Sequence, residues 1–373
     1  MSAYDVAVAG LGAMGSAAAY HLARRGARVV GFDLHAPPHA LGSSHGETRI
    51  IREAYFEDPR YVPLVQRAYD LWFALERASG RRLLVRTGGL MIGPADGALV
   101  RGAAASGAAH RLPCERLDAA ELRRRFPALA PRDDEVAVWE PRAGFLLPEA
   151  CVAAHLEAAR AAGAELRANE PVTAWRASGG GVEVHTPRGR VSAGALVLAV
   201  NAWLPRLAPE LPFRVEVARQ PLFWFEPRAN AAAFAPGRLG VWIWEDAPER
   251  FMYGFPALDG LVKVAPHGGG EAMDPDAPRG AVAEAEAEAM RARLAARLPD
   301  AAGRFARGAV CLYANTADGH FVMDRHPGLP QVLVLSCCSG HGFKFSSAIG
   351  EAAAQLMLDG GSPHDLGLFA MRG

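Results

Sequence analysis

A short apolar strand, a glycine-rich turn and an alanine-rich helix open the chain, and this order constrains the fold more than any other feature. Residues 4–9 read Tyr-Asp-Val-Ala-Val-Ala, which predicts a buried parallel strand. The motif Gly10-x-Gly12-x-x-Gly15 follows at once. Gly10 permits a tight turn, Gly12 lets the backbone approach a pyrophosphate, and Gly15 lets the helix pack on the strand. The three glycines therefore predict a turn that holds phosphate groups at the helix N-terminus.

A second strand and an acidic residue complete the pattern. Residues 28–33 read Arg-Val-Val-Gly-Phe-Asp, and they predict a strand that ends at Asp33. A carboxylate at this position can accept hydrogen bonds from the ribose of an adenosine. The whole unit predicts a βαβ motif that binds a dinucleotide, and by itself it leaves both NAD and FAD open.

The charge balance excludes several classes of partner. The 373 residues carry 40 basic and 40 acidic side chains, so the formal net charge is zero. Such a balance argues against nucleic acid and against an anionic membrane surface. The uncharged run from Val6 to Ala23 reaches the length of a short membrane span. It is better explained as the strand and helix of the dinucleotide motif, so we expect no membrane partner.

The cysteines indicate a reducing compartment. The five cysteines, at positions 114, 151, 311, 337 and 338, form no Cys-x-x-Cys pair, and no histidine cluster has zinc spacing. We therefore expect neither a disulfide framework nor a metal site. Their odd number and the lack of a secretory signal predict a cytoplasmic protein. Cys337 and Cys338 end an apolar strand and are predicted to be core residues.

The remaining segments predict an α/β protein with an additional antiparallel lobe. Residues 61–79 and 149–162 have the composition and periodicity of helices. Residues 84–93 predict one strand, and residues 165–200 predict two or three strands that end in an apolar run. From 214 to 265 the pattern is strand-like and rich in aromatic residues, which suits the wall of a substrate cavity.

Lysine is rare in this chain. Only two of the 40 basic residues are lysines, Lys263 and Lys344. Both have apolar neighbours, in Leu-Val-Lys-Val and Gly-Phe-Lys-Phe, where a surface lysine is not expected. A lysine kept in an arginine-rich chain suggests a site where a guanidinium does not serve, because the two cations differ in shape and in how readily burial lowers their pKa. The alternative is that both lysines are there by chance.

Four separate motifs carry a resemblance to a known family. They are Gly-Ser-Ser-His-Gly-Glu-Thr-Arg-Ile-Ile-Arg (42–52), Tyr-Gly-Phe-Pro from position 253, Arg-Gly-Ala-Val-Cys-Leu-Tyr (307–313) and Ser-Gly-His-Gly-Phe-Lys-Phe-Ser-Ser (339–347). In this order they resemble the family of monomeric sarcosine oxidase and N-methyl-tryptophan oxidase, and the resemblance runs from Tyr4 to about Phe369. Members of that family are FAD-dependent amine oxidases of the larger glycine oxidase and D-amino-acid oxidase group.

The resemblance implies a two-lobed flavoprotein of the D-amino-acid oxidase type. A Rossmann-like FAD-binding domain would comprise residues 1–82, 149–210 and 312–373. A substrate domain built on a mainly antiparallel sheet would comprise residues 83–148 and 211–311. The implied fold class is therefore α/β, with the FAD domain assembled from discontinuous segments.

The resemblance also assigns residues to the flavin. The family links FAD through a cysteine sulfur to the 8α carbon of the isoalloxazine, and the matching residue is Cys311, which would otherwise be interpreted as a small buried hydrophobe. Lys263 matches a lysine that contacts the flavin through water and promotes its reaction with oxygen, since an ammonium stabilises developing anionic charge. The implied cofactor-binding residues are Gly10, Gly12, Gly15, Asp33, Ser43, Ser44, Thr48, Arg49, Val172, Cys311, Gly340, Gly342, Phe343 and Lys344.

The same motifs imply a substrate site. Arg52 and Lys344 match residues that bind the substrate carboxylate, and two cations in a partly dry cleft would orient a small zwitterion. Arg49 matches a basic residue beside the flavin ring. The implied catalytic residues are Lys263, Arg49, His267 and Tyr253, and the implied substrate-binding residues are Arg52, Lys344, Tyr313 and, in the wall of the pocket, Trp244.

The implied reaction is the oxidation of an N-methyl or other secondary amino acid such as sarcosine, which yields an amino acid, formaldehyde and hydrogen peroxide. The partners would be that amino acid and molecular oxygen, and the family implies a monomer. An oxidase of fructosyl amino acids, or of cyclic imino acids such as pipecolate or proline, is an alternative. A flavin-binding protein without turnover is a second alternative, which the retention of both lysines disfavours.

Overall fold

The computed structural model describes residues 3–372 and contains two eight-stranded sheets and one three-stranded sheet. In chain order, the strands are β1 (Tyr4–Ala9), β2 (Val29–Phe32), β3 (Arg49–Ile51), β4 (Leu84–Arg86), β5 (Gly89–Pro94), β6 (Glu115–Asp118), β7 (Glu135–Glu140), β8 (Gly144–Leu146), β9 (Glu165–Arg167), β10 (Ala174–Ser178), β11 (Gly181–Thr186), β12 (Gly189–Leu198), β13 (Glu216–Phe225), β14 (Val241–Ala247), β15 (Arg250–Gly254), β16 (Val262–His267), β17 (Phe305–Asn315), β18 (Val322–His326) and β19 (Leu329–Ser336).

Eight α-helices are found among the described residues. They are α1 (Ala13–Arg24), α2 (Val62–Ser79), α3 (Ala98–His110), α4 (Ala119–Arg125), α5 (Pro148–Ala161), α6 (Leu204–Leu207), α7 (Glu284–Ala295) and α8 (Ser346–Asp359). In the part of the chain that the structure describes, no helix combines the length and the apolar character that a membrane crossing needs.

The first sheet is built around parallel strands. Its order is β10-β11-β12-β1-β2-β9, and β19 also pairs with β12 and carries β18. Strands β9, β2, β1, β12 and β19 are parallel, whereas β10, β11 and β18 pair in antiparallel fashion. β1, α1 and β2 form the predicted βαβ unit, and Asp33 follows β2 directly. The segment 165–200, predicted to hold two or three strands, holds four, because β9 is a separate short strand on the far edge.

Four helices cover one face of this sheet. Helices α1, α2, α5 and α8 bury their apolar sides together with the strands in a single core. A fully buried aliphatic or aromatic side chain in such a core stabilises the fold by roughly 1.5–3 kcal/mol. The packing holds the N-terminus of α1 at the carboxyl end of β1. This is the edge at which parallel sheets bind their ligands.

The second sheet is mainly antiparallel, as expected for a substrate lobe. Its order is β17-β13-β16-β15-β14-β5-β7-β6, and only β14 and β5 are parallel neighbours. Val262 and Val264 of β16 pack into the core on one face of the sheet. Ala265 packs with Cys311 on the other face, and strand alternation places Lys263 on that same side. This second face is the one turned toward the site described below.

The segment 84–93, predicted as one strand, is two strands in different sheets. Residue Gly88 interrupts it with a φ of 72°, in the left-handed region that favours glycine. β4 joins the small sheet of order β3-β8-β4, whereas β5 enters the second large sheet. The sequence pattern missed this change because both halves are apolar and only the turn separates them.

The strands divide between the two large sheets nearly as the predicted domains do. All strands of the first sheet lie in the segments expected to bind FAD, and β5, β6, β7 and β13 to β16 lie in those expected to form the substrate lobe. β17 crosses the expected boundary between residues 311 and 312. The α/β fold class is confirmed, while the domain boundaries stay a prediction.

Candidate functional site

Two adjoining cavities lie at the ligand-binding edge of the first sheet. The larger has a volume of about 410 Å³ and the smaller of about 80 Å³. Ser43, Cys338 and Phe343 line both of them, so the cavities meet at these residues. The larger runs along the carboxyl ends of the parallel strands, and the smaller lies against the second sheet. The arrangement suits an elongated ligand with a reactive end beside a small second ligand.

The larger cavity begins at the glycine turn. Gly10 has a φ of 86°, and a Cβ there would lie 2.6 Å from the carbonyl oxygen of Ala199. A Cβ on Gly15 would lie 1.7 Å from the carbonyl oxygen of Gly10, so helix and turn touch at this point. A Cβ on Gly12 would meet only the Ser44 hydroxyl, at 3.5 Å. Gly12 therefore faces open space that a phosphate group can enter.

Asp33 lies beside the glycine turn, at the same end of the cavity. Its carboxylate is buried and accepts the backbone N–H groups of Leu11, at 2.7 Å, and His35, at 2.9 Å. Each oxygen keeps a lone pair for a ribose hydroxyl. Val172 lines the cavity near this end, and Ser44 accepts the N–H of Ala13 in the first turn of α1 at 3.2 Å. Glycine cradle, helix N-terminus and buried acid together fit an adenine dinucleotide.

The smaller cavity holds two buried cations. One guanidinium nitrogen of Arg52 donates to both carboxylate oxygens of Glu57, at 2.6 and 2.7 Å, and the guanidinium lies over the rings of Tyr55 and Phe56. Burial opposes ionisation of Glu57, but Arg52 outweighs it and lowers the pKa of that carboxyl to about 2. The Lys344 ammonium donates to the backbone carbonyl of His341, three positions earlier in the chain, at 2.6 Å. Burial lowers the pKa of Lys344 to about 7, Arg52 acts in the same direction, and Glu57 opposes them.

Three further polar side chains form the wall of the smaller cavity. His267 Nδ1 lies 3.4 Å from the Tyr313 hydroxyl, and the rings of Tyr253 and His267 meet edge to face. Burial lowers the pKa of His267 to about 4 and raises the pKa values of Tyr253 and Tyr313. All three groups are therefore neutral near pH 7. They can donate or accept hydrogen bonds but carry no charge.

Lys263 lies behind the cavities rather than in their lining. Its ammonium is buried and donates to the carbonyls of Gly46, at 2.5 Å, and Thr48, at 2.9 Å, and to the Thr48 hydroxyl at 3.0 Å. These acceptors use all three of its N–H groups. Burial and the nearby guanidinium of Arg49 hold the pKa of Lys263 well below its usual range. The three acceptors favour the charged form against this effect, and they leave Lys263 without a free N–H donor for the site.

Cys311 lies under the Arg49 guanidinium. One guanidinium nitrogen of Arg49 donates hydrogen bonds to the Cys311 sulfur, at 3.3 Å, and to the carbonyl oxygen of Ser43, at 3.0 Å. Burial raises the pKa of the Cys311 thiol, and Arg49 opposes that effect by favouring the thiolate. The interpretation of Cys338 as a core residue is wrong. It is only partly buried and lines both cavities because it follows β19 at their junction, whereas Cys337 is buried as predicted and borders only the larger cavity.

The placement of Trp244 in the pocket wall is also wrong. Trp244 is fully buried in the core on the opposite face of the second sheet, and its indole N–H donates to Glu135 at 3.2 Å. Its neighbour Ile243 lines the smaller cavity instead. Successive residues of a strand face opposite sides, so a register error of one residue exchanges the two faces.

The other predicted residues divide between the two cavities. The larger is lined by Gly10, Gly12, Asp33, Ser43, Ser44, Val172 and Phe343. The smaller is lined by Arg49, Arg52, Tyr253, His267, Tyr313, Gly340, Gly342, Phe343 and Lys344. Neither lining includes Gly15, Thr48, Lys263 or Cys311, which lie just behind residues that do.

Sequence reasoning missed several polar groups of the site. Glu57 and Tyr55 follow the Arg52 motif by only a few positions, and His341 precedes Lys344 by three, which is less than one helical turn. That proximity was a usable signal. No cluster of three or more His, Cys, Asp or Glu side chains within residues 3–372 is arranged to hold a metal ion.

The fold and the two cavities define an α/β protein of the dinucleotide-binding class, with a large cavity along a Rossmann-like sheet that meets a small cavity under an antiparallel sheet. The chain belongs to the FAD dependent oxidoreductase family, whose model matches residues 5–356. It is 46% identical to the monomeric sarcosine oxidase of Streptomyces avermitilis, over 99% of this chain and 97% of that protein. It is 38% identical to the N-methyl-L-tryptophan oxidase of Salmonella arizonae, over 99% of this chain and 98% of that protein.

A solved structure has the same fold. NikD, described as an unusual amino acid oxidase essential for nikkomycin biosynthesis, superposes with a TM-score of 0.86 and 26% identity, over 100% of this chain and 98% of that one. The expectation of FAD rather than NAD is therefore confirmed at the level of the family.

Two glycine substitutions separate the fold from the cofactor cradle. Gly12→Ala should leave the thermal unfolding temperature near that of the parent, because its Cβ meets no atom closer than 3.5 Å, yet it should lower FAD content by blocking the pyrophosphate. Gly15→Ala should destabilise the protein itself by about 1–3 kcal/mol or more, because its Cβ overlaps a carbonyl oxygen. Calorimetry and the flavin-to-protein absorbance ratio measure the two effects. Equal FAD content in Gly12→Ala and the parent would contradict this role of the turn.

Proposed function

We propose that the protein is an oxidase of small N-methyl or other secondary amino acids, of which sarcosine is the simplest. The observation that carries the proposal is a small buried cavity, lined by the two cations Arg52 and Lys344, beside the flavin site. The names of the two relatives matched over almost the whole chain support the same reaction class.

The overall reaction balances with oxygen as the oxidant. When bound, FAD would supply the redox chemistry: it would take one hydride equivalent, which is two electrons with one proton, from the carbon next to the substrate nitrogen as the nitrogen loses a proton, and oxygen would reoxidise it. The oxidised substrate is an imine, which water hydrolyses to an amino acid and, when the nitrogen substituent is methyl, formaldehyde. Oxygen takes up two electrons and two protons and leaves as hydrogen peroxide. The protein's own residues bind and orient the substrate and exclude water.

Arg52 and Lys344 are proposed to bind the substrate carboxylate. Both are buried and both line the cavity, so a carboxylate there gains charge-assisted hydrogen bonds in a region of low dielectric. Arg52 is already paired with Glu57. An incoming carboxylate therefore shares the guanidinium with Glu57 or displaces it, whereas Lys344 faces the ligand without a carboxylate partner of its own within hydrogen-bonding distance.

The cavity favours a small substrate. Its volume of about 80 Å³ is bounded by the side chains of Ile243, Tyr253 and His267, which suits a small amino acid better than one with an indole side chain. His267 and Tyr253 are neutral, so we assign them to shaping the cavity and hydrogen bonding rather than to transfer of charge. Ile243 replaces Trp244 as the proposed determinant of which side chain or nitrogen substituent fits.

A substrate panel tests the proposal. We expect peroxide from sarcosine and other small N-methyl amino acids, and slower or no peroxide from N-methyl-tryptophan, pipecolate, proline and a fructosyl amino acid. Lys344→Met should weaken binding of acid substrates by about 1.5–3 kcal/mol, the contribution of a hydrogen bond to a charged group, and should hardly affect an amine without a carboxylate. The Michaelis constants for matched acid and non-acid amines measure the difference. Peroxide from fructosyl or cyclic substrates alone would overturn the assignment.

We further propose that FAD is attached covalently at Cys311. The thiol is buried beside the Arg49 guanidinium, which favours the thiolate needed to form the C–S bond. That bond would replace a C–H bond of the 8α methyl group: the proton would leave to solvent, the two electrons would remain on the flavin, and oxygen would reoxidise it. Cys338 is the natural rival because it lines both cavities. Among the described residues, no arginine or lysine donates a hydrogen bond to Cys338, whereas Arg49 donates one to Cys311. We therefore favour Cys311.

Acid precipitation distinguishes the two cysteines. The parent protein and Cys338→Ser should retain yellow flavin in the acid pellet, and Cys311→Ser should release all of it to the supernatant. Intact mass should show the FAD increment in the first two proteins only. A colourless parent pellet, or a yellow pellet from Cys311→Ser, would overturn the proposal.

Lys263 is proposed to promote the reaction with oxygen. Reduction of oxygen begins with transfer of one electron to a neutral molecule, so a fixed positive charge nearby stabilises the product of that step more than the reactant. The ammonium is held in place by Gly46 and Thr48, and burial strengthens its field. Its effect would be electrostatic, because its three N–H groups are already engaged.

The two half-reactions separate this role from a structural one. In Lys263→Met, anaerobic reduction by substrate should change little, whereas reoxidation by oxygen should slow by at least about tenfold, the cost of losing one stabilising charge. Lys263→Arg should recover part of the rate, because it retains the charge but not the compact ammonium. Stopped-flow absorbance of the flavin measures both steps. Equal slowing of both half-reactions would mean that Lys263 only supports the loop it binds.

We propose in addition that the protein is monomeric and cytoplasmic. All five cysteines are free in the structure, which suits a reducing compartment. The name of the relative from Streptomyces avermitilis describes that protein as monomeric, which supports the first point.

A further inference from the structure

A chain of hydrogen bonds leads from the smaller cavity into the protein through Lys344, Tyr55 and His341. The Lys344 ammonium donates to the Tyr55 hydroxyl at 3.3 Å. The Tyr55 hydroxyl lies 2.6 Å from His341 Nδ1, and His341 Nε2 lies 3.0 Å from the carbonyl oxygen of Gly319. All three side chains are buried. Of these groups, only Lys344 has a predicted role.

The last acceptor determines the direction of every bond in the chain. A carbonyl oxygen only accepts, so Nε2 of His341 must carry the hydrogen. Burial lowers the pKa of His341 to about 3, so the ring is neutral and its Nδ1 is an acceptor. The single proton of the Tyr55 hydroxyl is therefore donated to Nδ1. The oxygen of Tyr55 then presents its lone pairs to Lys344.

This direction provides Lys344 with an acceptor that it would otherwise lack. Two of its N–H groups are accepted, one by the His341 carbonyl at 2.6 Å and one by the Tyr55 oxygen at 3.3 Å. The third is left for a ligand in the cavity. We propose that His341 is a positioning residue, which orients the Tyr55 hydroxyl so that the Lys344 ammonium is held toward the carboxylate of the substrate.

The surroundings leave the chain little freedom. The His341 ring stacks on Phe321 with centroids 4.7 Å apart, and the Tyr55 ring lies between Tyr61, at 4.8 Å, and Phe345, at 5.2 Å. An aromatic shell of this kind excludes water that could replace a missing partner. Loss of one member therefore leaves the next without a substitute.

Other charged and titratable groups near Lys344 are accounted for. Arg52 disfavours the protonated amine, Glu57 favours it, and His267 is neutral because burial lowers its pKa to about 4. A hydrogen bond accepted from an ammonium favours the charged form. Removing the Tyr55 oxygen should therefore lower the pKa of Lys344 further, below about 7. Anion binding should then be lost at a lower pH than in the parent.

The test uses the holoenzyme and acetate, a carboxylate without an amine, with acetamide as its uncharged counterpart. Flavin absorbance reports binding between pH 5 and 9. Tyr55→Phe and His341→Leu break the chain, while His341→Asn keeps an acceptor near the position of Nδ1. Tyr61→Phe is the matched control, since it removes a neighbouring hydroxyl that contacts His320 instead. Lys344→Met reports whether the carboxylate site itself exists.

In the chain-breaking variants, acetate should bind about tenfold more weakly at pH 7, the loss expected for one hydrogen bond to a charged group. The midpoint of its pH dependence should move to lower pH, with the Michaelis constant for an acid substrate rising more than kcat falls. His341→Asn should restore most of the affinity, and Tyr61→Phe should resemble the parent. Acetamide binding should not change.

Several results would overturn the inference. They are parental acetate binding in Tyr55→Phe, equal weakening of acetate and acetamide, or a pH midpoint that does not move. If His341→Leu does not fold, Tyr55→Phe and His341→Asn still decide the question. The inference rests on the proposed role of Lys344 in carboxylate binding. Parental acetate binding in Lys344→Met would refute that role as well, whereas weakening there but not in Tyr55→Phe would refute the inference alone.

Discussion

The loop from Ser43 to Arg49 is held to both lobes by hydrogen bonds to two ionisable side chains, the half-buried Glu149 and the buried Lys263, and the geometry of both cavities depends on it. From the first lobe, the Glu149 carboxylate accepts the N–H groups of Gly46, at 2.7 Å, and of the next residue at 3.1 Å. From the second lobe, Lys263 donates to two carbonyls of the same loop. Hydrogen bonds to charged groups contribute about 1.5–3 kcal/mol each, so the loop is held firmly. Ser43, which lines both cavities, and Arg49, which covers Cys311, are positioned by these contacts.

Positive charge exceeds negative charge in the smaller cavity. Arg49, Arg52 and Lys344 line it, and Glu57 is the one carboxylate among the described residues of its lining. Burying this excess is unfavourable without a counter-charge, which is why the pKa of Lys344 falls to about 7. An anionic ligand would neutralise part of this excess positive charge. The site therefore favours the binding of a carboxylate. The same excess keeps nearby thiol and hydroxyl groups in a positive field, which suits anionic steps of an oxidase reaction.

The sequence predicted the position of residues that belong to one contiguous motif. It failed where the role of a residue depends on which way its side chain points. The glycine turn and Asp33 were predictable because turn, helix N-terminus and strand end are contiguous in the chain. Trp244 was misplaced because one residue of register separates the core face of β14 from the cavity face, where Ile243 lies. Cys338 was predicted to be a core residue for a similar reason, since the apolar pattern of β19 does not show at which residue the chain emerges from the core. The orientation of Tyr55 was beyond prediction, because its partners His341 and Lys344 are distant in sequence, whereas Glu57 lies only five positions from Arg52.

The sequence alone determined the dinucleotide motif, the family and the two unusual lysines, since each of these is a matter of residue type at a local spacing. The tertiary structure decided which groups those lysines contact. Lys263 lies 217 positions from Gly46 in the chain and Lys344 lies 289 positions from Tyr55, yet each pair is joined by a hydrogen bond. Such contacts form only when separate strands and helices pack. The entropy cost of bringing together residues that are hundreds of positions apart is offset by burial of the whole core, and no local preference could offset it. A single sequence records the side chains that meet there, but the direction of their hydrogen bonds exists only in the folded protein.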